Sequence, residues 1–323
     1  MMEYRPLGTS GIMISRLCFG TMSFAGRADK KESERLYRLA RERGINFFDC
    51  ANVYQYGESE RFLGSLIKEE RSKVVITTKA HSAMSSDPND RGCSAKNLTQ
   101  SLHSSLQRLG TEYIDLFILH GYDTATSPEE ILSTMQTFIH QGKILRFGVS
   151  NWSAWQTQRL ISLAEQRQLP RVQAIQPMYN LTKRTAEIEI LPMAEANQIA
   201  AMTYSPLGGG LLVGRHSSTA PSPSVRLTEN PAYITRYGGA FYDEVSQGFI
   251  ALANELQIHP ATLAVRWTLA NPAVTSSILG AANTEQLLPS LAAIEEPLTE
   301  EVLTALDAIS PPPPPAHDRT EYT

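Results

Sequence analysis

The sequence predicts an α/β protein folded as a single (β/α)8 TIM barrel. Short apolar runs rich in strand-forming residues recur eight times along the 323 residues, and helix-length amphipathic segments separate most of them. The runs are nearly continuous in apolar residues, which suits strands buried on both faces and therefore parallel pairing beneath a layer of helices. Eight such units at this length fit a closed barrel better than an open doubly wound sheet.

The elements follow in order. The opening YRPLGTSGIMIS reads as an N-terminal β-hairpin turning at Gly8–Gly11, placed to plug one end of the barrel. Strands are expected at 16–20 (RLCFG), 46–49 (NFFD), 74–79 (VVITTK), 114–119 (IDLFIL), 145–149 (LRFGV), 172–176 (VQAIQ), 200–204 (AAMTY) and 275–280 (TSSILG). Over 32–43, Leu36, Leu39 and Ala40 share one helical face, while Arg35, Arg38, Arg41 and Glu42 lie elsewhere. Segment 95–109 repeats the pattern through Leu98, Leu102, Ser105, Leu106 and Leu109; segment 153–168 does so through Leu160, Ile161 and Ala164, ending before Pro170.

After the seventh strand, residues 207–242 are rich in Gly, Ser, Pro and Arg and show little periodicity. They read as one long loop, and loops of that length in a compact domain usually carry function. The barrel domain is expected to span 1–310, with 311–323 (PPPPPAHDRTEYT) a Pro-rich tail that is extended or disordered.

Composition removes several function classes. A formal net charge of −4 with no basic stripe argues against nucleic acid. No apolar run approaches the roughly 20 residues that cross a bilayer. Cys18, Cys50 and Cys93 are too few and too scattered for a disulfide framework or a zinc site, so no metal is expected and a reducing compartment is. The N-terminus lacks the basic start and apolar core of a signal peptide, which makes the cytoplasm the expected location.

The active site of such a barrel forms at the C-terminal ends of its strands. Polar residues there are Asp49 after the second strand, Lys79 after the third, His120 after the fourth, Ser150 and Asn151 after the fifth, Gln176 after the sixth, and Tyr204 and Ser205 after the seventh. A carboxylate, an ammonium and an imidazole thus converge from consecutive strands, and Tyr54 sits on the loop leaving Asp49. Taken singly, each reads more readily as a turn residue, a solvated charge or a structural histidine; together they point to one site. A phenol titrates near pH 10, and a nearby ammonium favours its phenolate. Lys79, held charged by Asp49, is therefore expected to draw the Tyr54 pKa toward working pH and make it a general acid. His120 could donate to a carbonyl oxygen on which negative charge develops.

The stretch FFDCANVYQYGESE is similar to the D-x4-Y-G-x-S-E signature of the aldo-keto reductases. VVITTK, LFILH, FGVSNW, AIQPMYN and MTYSPLGGGLL resemble later motifs of that family in the same order, so the resemblance covers nearly the whole chain. It implies a catalytic tetrad of Asp49, Tyr54, Lys79 and His120, with Tyr54 giving a proton while hydride passes from a nicotinamide to an aldehyde or ketone. It also implies a dinucleotide extended across the barrel mouth. Gly20, Thr21 and Met22 would line the ring and ribose, beside Asp49. Ser150, Asn151 and Gln176 would bind the carboxamide, and Tyr204 would stack on the nicotinamide. Ser205, Pro206, Leu207 and Gly208 would begin the pyrophosphate cover, with Gly280, Ala282, Gln286 and Ser290 toward the adenosine.

The segment LGAANTEQLLPSLAAIEE contains no Lys or Arg, and Ala282 and Ser290 stand where relatives resembling the potassium-channel β-subunit carry Ser and Asn. A 2′-phosphate would therefore fall to Arg215 and Arg226, whose planar multi-donor heads suit it. NADPH is the expected cofactor, with NADH the alternative, and a small carbonyl compound the expected partner.

Three rival readings of the sequence exist. Tyr179-Asn-Leu-Thr-Lys183 matches the Y-x-x-x-K of short-chain dehydrogenases, but RLCFGTMSF lacks the glycine-rich turn those enzymes need after their first strand. A Schiff-base lyase using Lys79 would leave Tyr54 unexplained. A cofactor-binding regulatory partner of the channel β-subunit type would keep the barrel with little turnover; retention of His120 favours catalysis.

Overall fold

The computed structural model describes residues 1–214, 227 and 230–320. Its chain runs through β1 (Tyr4–Pro6), β2 (Met13–Ser15), β3 (Leu17–Gly20), β4 (Phe47–Asp49), β5 (Val75–Ala80), β6 (Ile114–Leu119), β7 (Ile144–Ser150), β8 (Ala174–Gln176), β9 (Ala200–Tyr204) and β10 (Val274–Leu279). The last eight are parallel and close into a barrel in the order β10-β3-β4-β5-β6-β7-β8-β9. Each expected strand is present, and the (β/α)8 barrel is the observed fold.

Alternation along the strands builds two apolar layers. Cys18, Phe47, Val75, Leu116, Ile118, Ala174, Ala200, Met202 and Ile278 fill the barrel interior. Their chain neighbours Phe19, Phe48, Ile76, Phe117 and Ile175 face outward and pack in the larger core under the helices.

β1 and β2 form the expected antiparallel hairpin, with Arg5 opposite Ile14. Leu7 and Ile14 from this hairpin join the interior cluster. Ser15 N–H donates to Asn46 Oδ1 and Arg16 to the Val274 carbonyl, residues at the starts of β4 and β10. The plug therefore closes the N-terminal end and leaves the opposite mouth free.

Helices on the outside start where small polar side chains satisfy free N–H groups. Asp29 caps Lys30–Glu42, Ser94 caps Ala95–Leu109, Ser127 caps Pro128–His140, and Ser153 with Gln156 forms a capping box on Ala154–Arg167. The first of these begins two residues before the apolar pattern does, because the cap sets the start. Glu58–Ile67 meets Ala95–Leu109 at Gly64, where a Cβ would lie 2.4 Å from the Leu109 carbonyl oxygen, so only glycine permits that approach.

The connection after β9 departs from the expected continuous loop. Helix Pro231–Tyr237 interrupts it, and Ala240–Glu255 follows directly. Asn230 as cap and Pro231 in the first turn account for the start of the former. Among the described residues, no helix is long and apolar enough to cross a membrane, and no group of three or more His, Cys, Asp or Glu is arranged to hold a metal.

Candidate active site

The two-residue period of the strands carries the inner face of the barrel to its mouth. Phe47 points inward, and so does Asp49; Val75 leads to Thr77 and Lys79; Leu116 and Ile118 lead to His120. The same phase runs from Cys18 to Gly20, from Ala174 to Gln176 and from Met202 to Tyr204. Parallel register aligns these ends, with Gly20 opposite Asp49 and Ser150 opposite Gln176.

Lys79 Nζ donates to Asp49 Oδ2 at 2.6 Å, to the Cys50 carbonyl at 2.7 Å and to Tyr54 Oη at 3.4 Å. All three ammonium protons thus have acceptors, and the side chains of Lys79 and Asp49 are 0% and 4% exposed. Burial pulls the ammonium pKa down, but Asp49 and then Tyr54 more than offset this and hold it above its ordinary range. The second Asp49 oxygen accepts from Gln176 Nε2 at 2.9 Å. In this arrangement Gln176 steadies the carboxylate, leaving its amide oxygen and one N–H for a ligand.

Tyr54 corrects one expectation. Burial of its hydroxyl pushes the pKa up to about 12, and Lys79, although it pulls downward as anticipated, is the smaller influence. The phenol is fully protonated at neutral pH. His120 is driven the other way, down to about 3, by burial and then by Lys79 and His81, so its imidazole is neutral. Its Nδ1 is buried with no hydrogen-bond partner among the described residues, and the ring meets Tyr54 edge-on at 6.2 Å between centroids. A neutral imidazole still carries one N–H to offer an oxygen.

Two residues of YGESE that were not singled out from sequence brace this group. Ser59 Oγ donates to the Thr21 carbonyl at 2.8 Å. Fully buried Glu60 accepts from Thr78 Oγ1 at 2.5 Å and from Arg108 Nε at 2.6 Å. Ser59 thereby anchors the turn after β3, and Glu60 anchors the residue before Lys79. Their place directly after Tyr54 in the motif was the available signal.

The remaining candidates line the mouth in different ways. Thr21 is buried and turns inward, its hydroxyl donating to the Asp49 carbonyl at 3.1 Å, whereas Met22 is 43% exposed at the rim. Ser150 Oγ donates to the Gln176 carbonyl. Asn151, at φ 60°, donates to the His120 carbonyl and accepts from Tyr204 Oη at 2.8 Å, which fixes the Tyr204 ring across the opening. Tyr122 meets Trp152 edge-on at 4.9 Å and forms an aromatic wall beside the loop after β6.

A dinucleotide fits the residues of this rim. Gly208, Gly209 and Gly210 hold φ of 57°, 70° and 109°, a left-handed run that favours glycine, and the Gly208 and Gly210 N–H groups donate to the Ser205 and Leu207 carbonyls and fix the turn at the rim. Ser205 is held beside them by Tyr237 Oη at 3.2 Å, with Pro206 and Leu207 completing the turn. A Cβ at Gly280 would meet no described residue within 4 Å, so the backbone there borders the opening. Gln286 Oε1 accepts from Ala282 N–H at 3.1 Å and closes the turn after β10, while Ser290 is buried. Arg215 and Arg226 lie outside the described residues.

Tyr179 and Lys183 do not form a pair. Tyr179 Oη donates to Glu187 at 2.8 Å, and Lys183 Nζ to Tyr242 Oη.

Comparison with known proteins agrees with this architecture. A family model described as the aldo/keto reductase family matches residues 16–311. The chain is 35% identical over 324 residues to the uncharacterized oxidoreductase YrpG of Bacillus subtilis (strain 168), covering 97% of each. It is 34% identical to a probable voltage-gated potassium channel subunit beta of Oryza sativa subsp. japonica, over 95% of this chain and 96% of that one. A probable subunit of the same description from Arabidopsis thaliana is 35% identical over 91% and 92% of the two chains. With the family matched over almost its full length and relatives that include an oxidoreductase, the chain belongs to the aldo/keto reductase family and is an oxidoreductase of the NAD(P)H-dependent kind.

Proposed function

We propose that the protein reduces aldehydes and ketones, using NADPH in preference to NADH, with Tyr54 as general acid. The observation that carries this reading is the contact of Lys79 with both Asp49 and the Tyr54 hydroxyl. A reduced nicotinamide, when bound, supplies the hydride. Tyr54 holds its proton at rest and releases it to the carbonyl oxygen as negative charge builds there. The phenolate left behind forms 3.4 Å from a permanently charged ammonium. Lys79 therefore favours the transition state more than the resting enzyme, the condition for raising rate rather than affinity. General acids of this type contribute a factor of about 10²–10⁴. Neutral His120 donates to the same oxygen and orients it.

Ser150, Asn151 and Gln176 would orient the carboxamide, Tyr204 would cover the ring, and Gly20, Thr21 and Met22 would border the ribose. The glycine turn with Ser205, Pro206 and Leu207 would take the pyrophosphate. Gly280, Ala282, Gln286 and Ser290 would frame the adenosine, and Arg215 and Arg226 would bind the 2′-phosphate. A panel of carbonyl compounds assayed in parallel with NADPH and NADH tests the reading. Oxidation of NADPH by part of the panel is expected; binding of cofactor with no oxidation across the panel would contradict it.

That contrary result would favour a second reading, a cofactor-binding regulatory partner. It is supported by the similarity over nearly full length to proteins described as potassium channel subunits.

A further inference from the structure

Alternation along β7 leaves a charge on the inner face of the barrel. Phe147 and Val149 pack outward under the helices, so Arg146 and Gly148 face the barrel axis. Register sets Arg146 beside Leu116, which belongs to the apolar interior. Arg146 thus emerges at the end opposite the mouth, where it is half-buried. Its Nη1 donates to the Leu145 carbonyl at 2.6 Å, which leaves the rest of the guanidinium for other acceptors.

The hairpin plug does not fill the space beside this cation. Gly8, at φ 58°, lets the turn press on Gln173 so closely that a Cβ would lie 2.6 Å from the Gln173 carbonyl oxygen. Thr9 donates to Gln173 Oε1 through its N–H at 3.0 Å and its hydroxyl at 3.1 Å. A backbone N–H can only donate, so the amide oxygen is the atom held, and the amide NH2 is left for a ligand. With the turn fixed in this way, a cavity of about 250 Å³ remains, bordered by Thr9, Ser10, Arg146, Arg171 and Gln173.

Arg171 enters from the segment before β8. Its Nη2 donates to the Asn197 carbonyl at 3.0 Å, and its Nη1 meets Glu165 at 3.5 Å. Its Nε is buried with no partner among the described residues. Two permanent cations and an amide donor therefore border one space, and no acidic side chain does so among the described residues. Arginine forks match the oxygens of a phosphate group. The volume falls below the roughly 300–1,000 Å³ of pockets for larger ligands, so the occupant is small.

We propose that this cavity is a second ligand site, for the phosphate group of a small anion, bound by Arg146, Arg171 and the Gln173 amide. It lies at the opposite end of the barrel from Asp49, Tyr54, Lys79 and His120, and it stands independently of the cofactor reading.

The test is calorimetric titration of the full chain with inorganic phosphate and with glycerol phosphate, sodium chloride holding the ionic strength constant. Arg146→Gln, Arg171→Gln and Arg146→Lys are titrated alongside, and each is melted without ligand. The unaltered chain is expected to bind at least one probe saturably, the tighter of the two telling free phosphate from a phosphomonoester. Each glutamine variant should weaken binding by about 10- to 100-fold, and Arg146→Lys by less. Absence of saturable binding would overturn the proposal, as would unchanged affinity in both glutamine variants, which places the anion elsewhere. Where a variant melts lower, phenylglyoxal labelling of the unaltered chain, read by mass spectrometry, decides. Phosphate is expected to slow modification of Arg146 and Arg171 but not of exposed Arg38. Equal labelling of the two in phosphate and in chloride would overturn the assignment.

Discussion

Lys79 Nζ stands 2.6 Å from Asp49 Oδ2 and 3.4 Å from the Tyr54 hydroxyl, so one buried cation is shared between a fixed anion and a potential one. At rest the phenol is neutral and the ion pair is complete. When the phenol gives up its proton, the same ammonium already faces the new charge, and no group has to move. Preorganised charge of this kind is where enzymes commonly find most of their rate enhancement.

The pair also makes Lys79 a structural necessity. In Lys79→Met the Asp49 carboxylate stays buried with Gln176 as its one side-chain partner among the described residues. Removing one member of a buried pair costs about 3–5 kcal/mol. Urea unfolding should show that loss, and activity should fall with it. A variant as stable as the original would mean that Asp49 is better solvated than its 4% exposure implies.

Bracing of the site from outside leads to a second expectation. Glu60 is 0% exposed and joins Thr78 to Arg108. Glu60→Ala should destabilise by about 3–5 kcal/mol, since it leaves the Arg108 guanidinium without its carboxylate. Reduction by the folded fraction should also fall, because Thr78 precedes Lys79 in β5. Normal unfolding in urea with lowered activity would separate the two roles.

His120 should make the protein acid-sensitive. Its folded pKa is lowered to about 3 from the ordinary 6.5 by burial, with Lys79 and His81 adding to the effect. Between those values the unfolded chain takes up a proton that the folded chain refuses, so stability falls as pH drops below about 6.5 and is unaffected above it. Melting temperatures at pH 7.5 and 5 should differ less in His120→Gln than in the original. Equal differences would show that the imidazole accepts a proton in place.

Much of this was legible in the sequence, for a physical reason. Apolar strand runs that end in one polar residue declare both the inner phase and the mouth, which is how Asp49, Lys79 and His120 could be found before any coordinates. Ser59 and Glu60 were not, because a polar helix residue reads as a surface residue until the neighbouring helix is in place. Helix Pro231–Tyr237 escaped notice because its start signal, Asn230 before Pro231, sits in polar sequence without apolar periodicity. The Tyr54 pKa had the right opposing charges but the wrong outcome, since depth of burial is a property of the assembled barrel.

The most direct measurement is Tyr54→Phe, with NADPH affinity and carbonyl reduction followed on the same preparation. The account predicts nearly unchanged cofactor binding and a fall in reduction of about 10²–10⁴-fold. Equal losses in binding and reduction, or full activity in the variant, would contradict it.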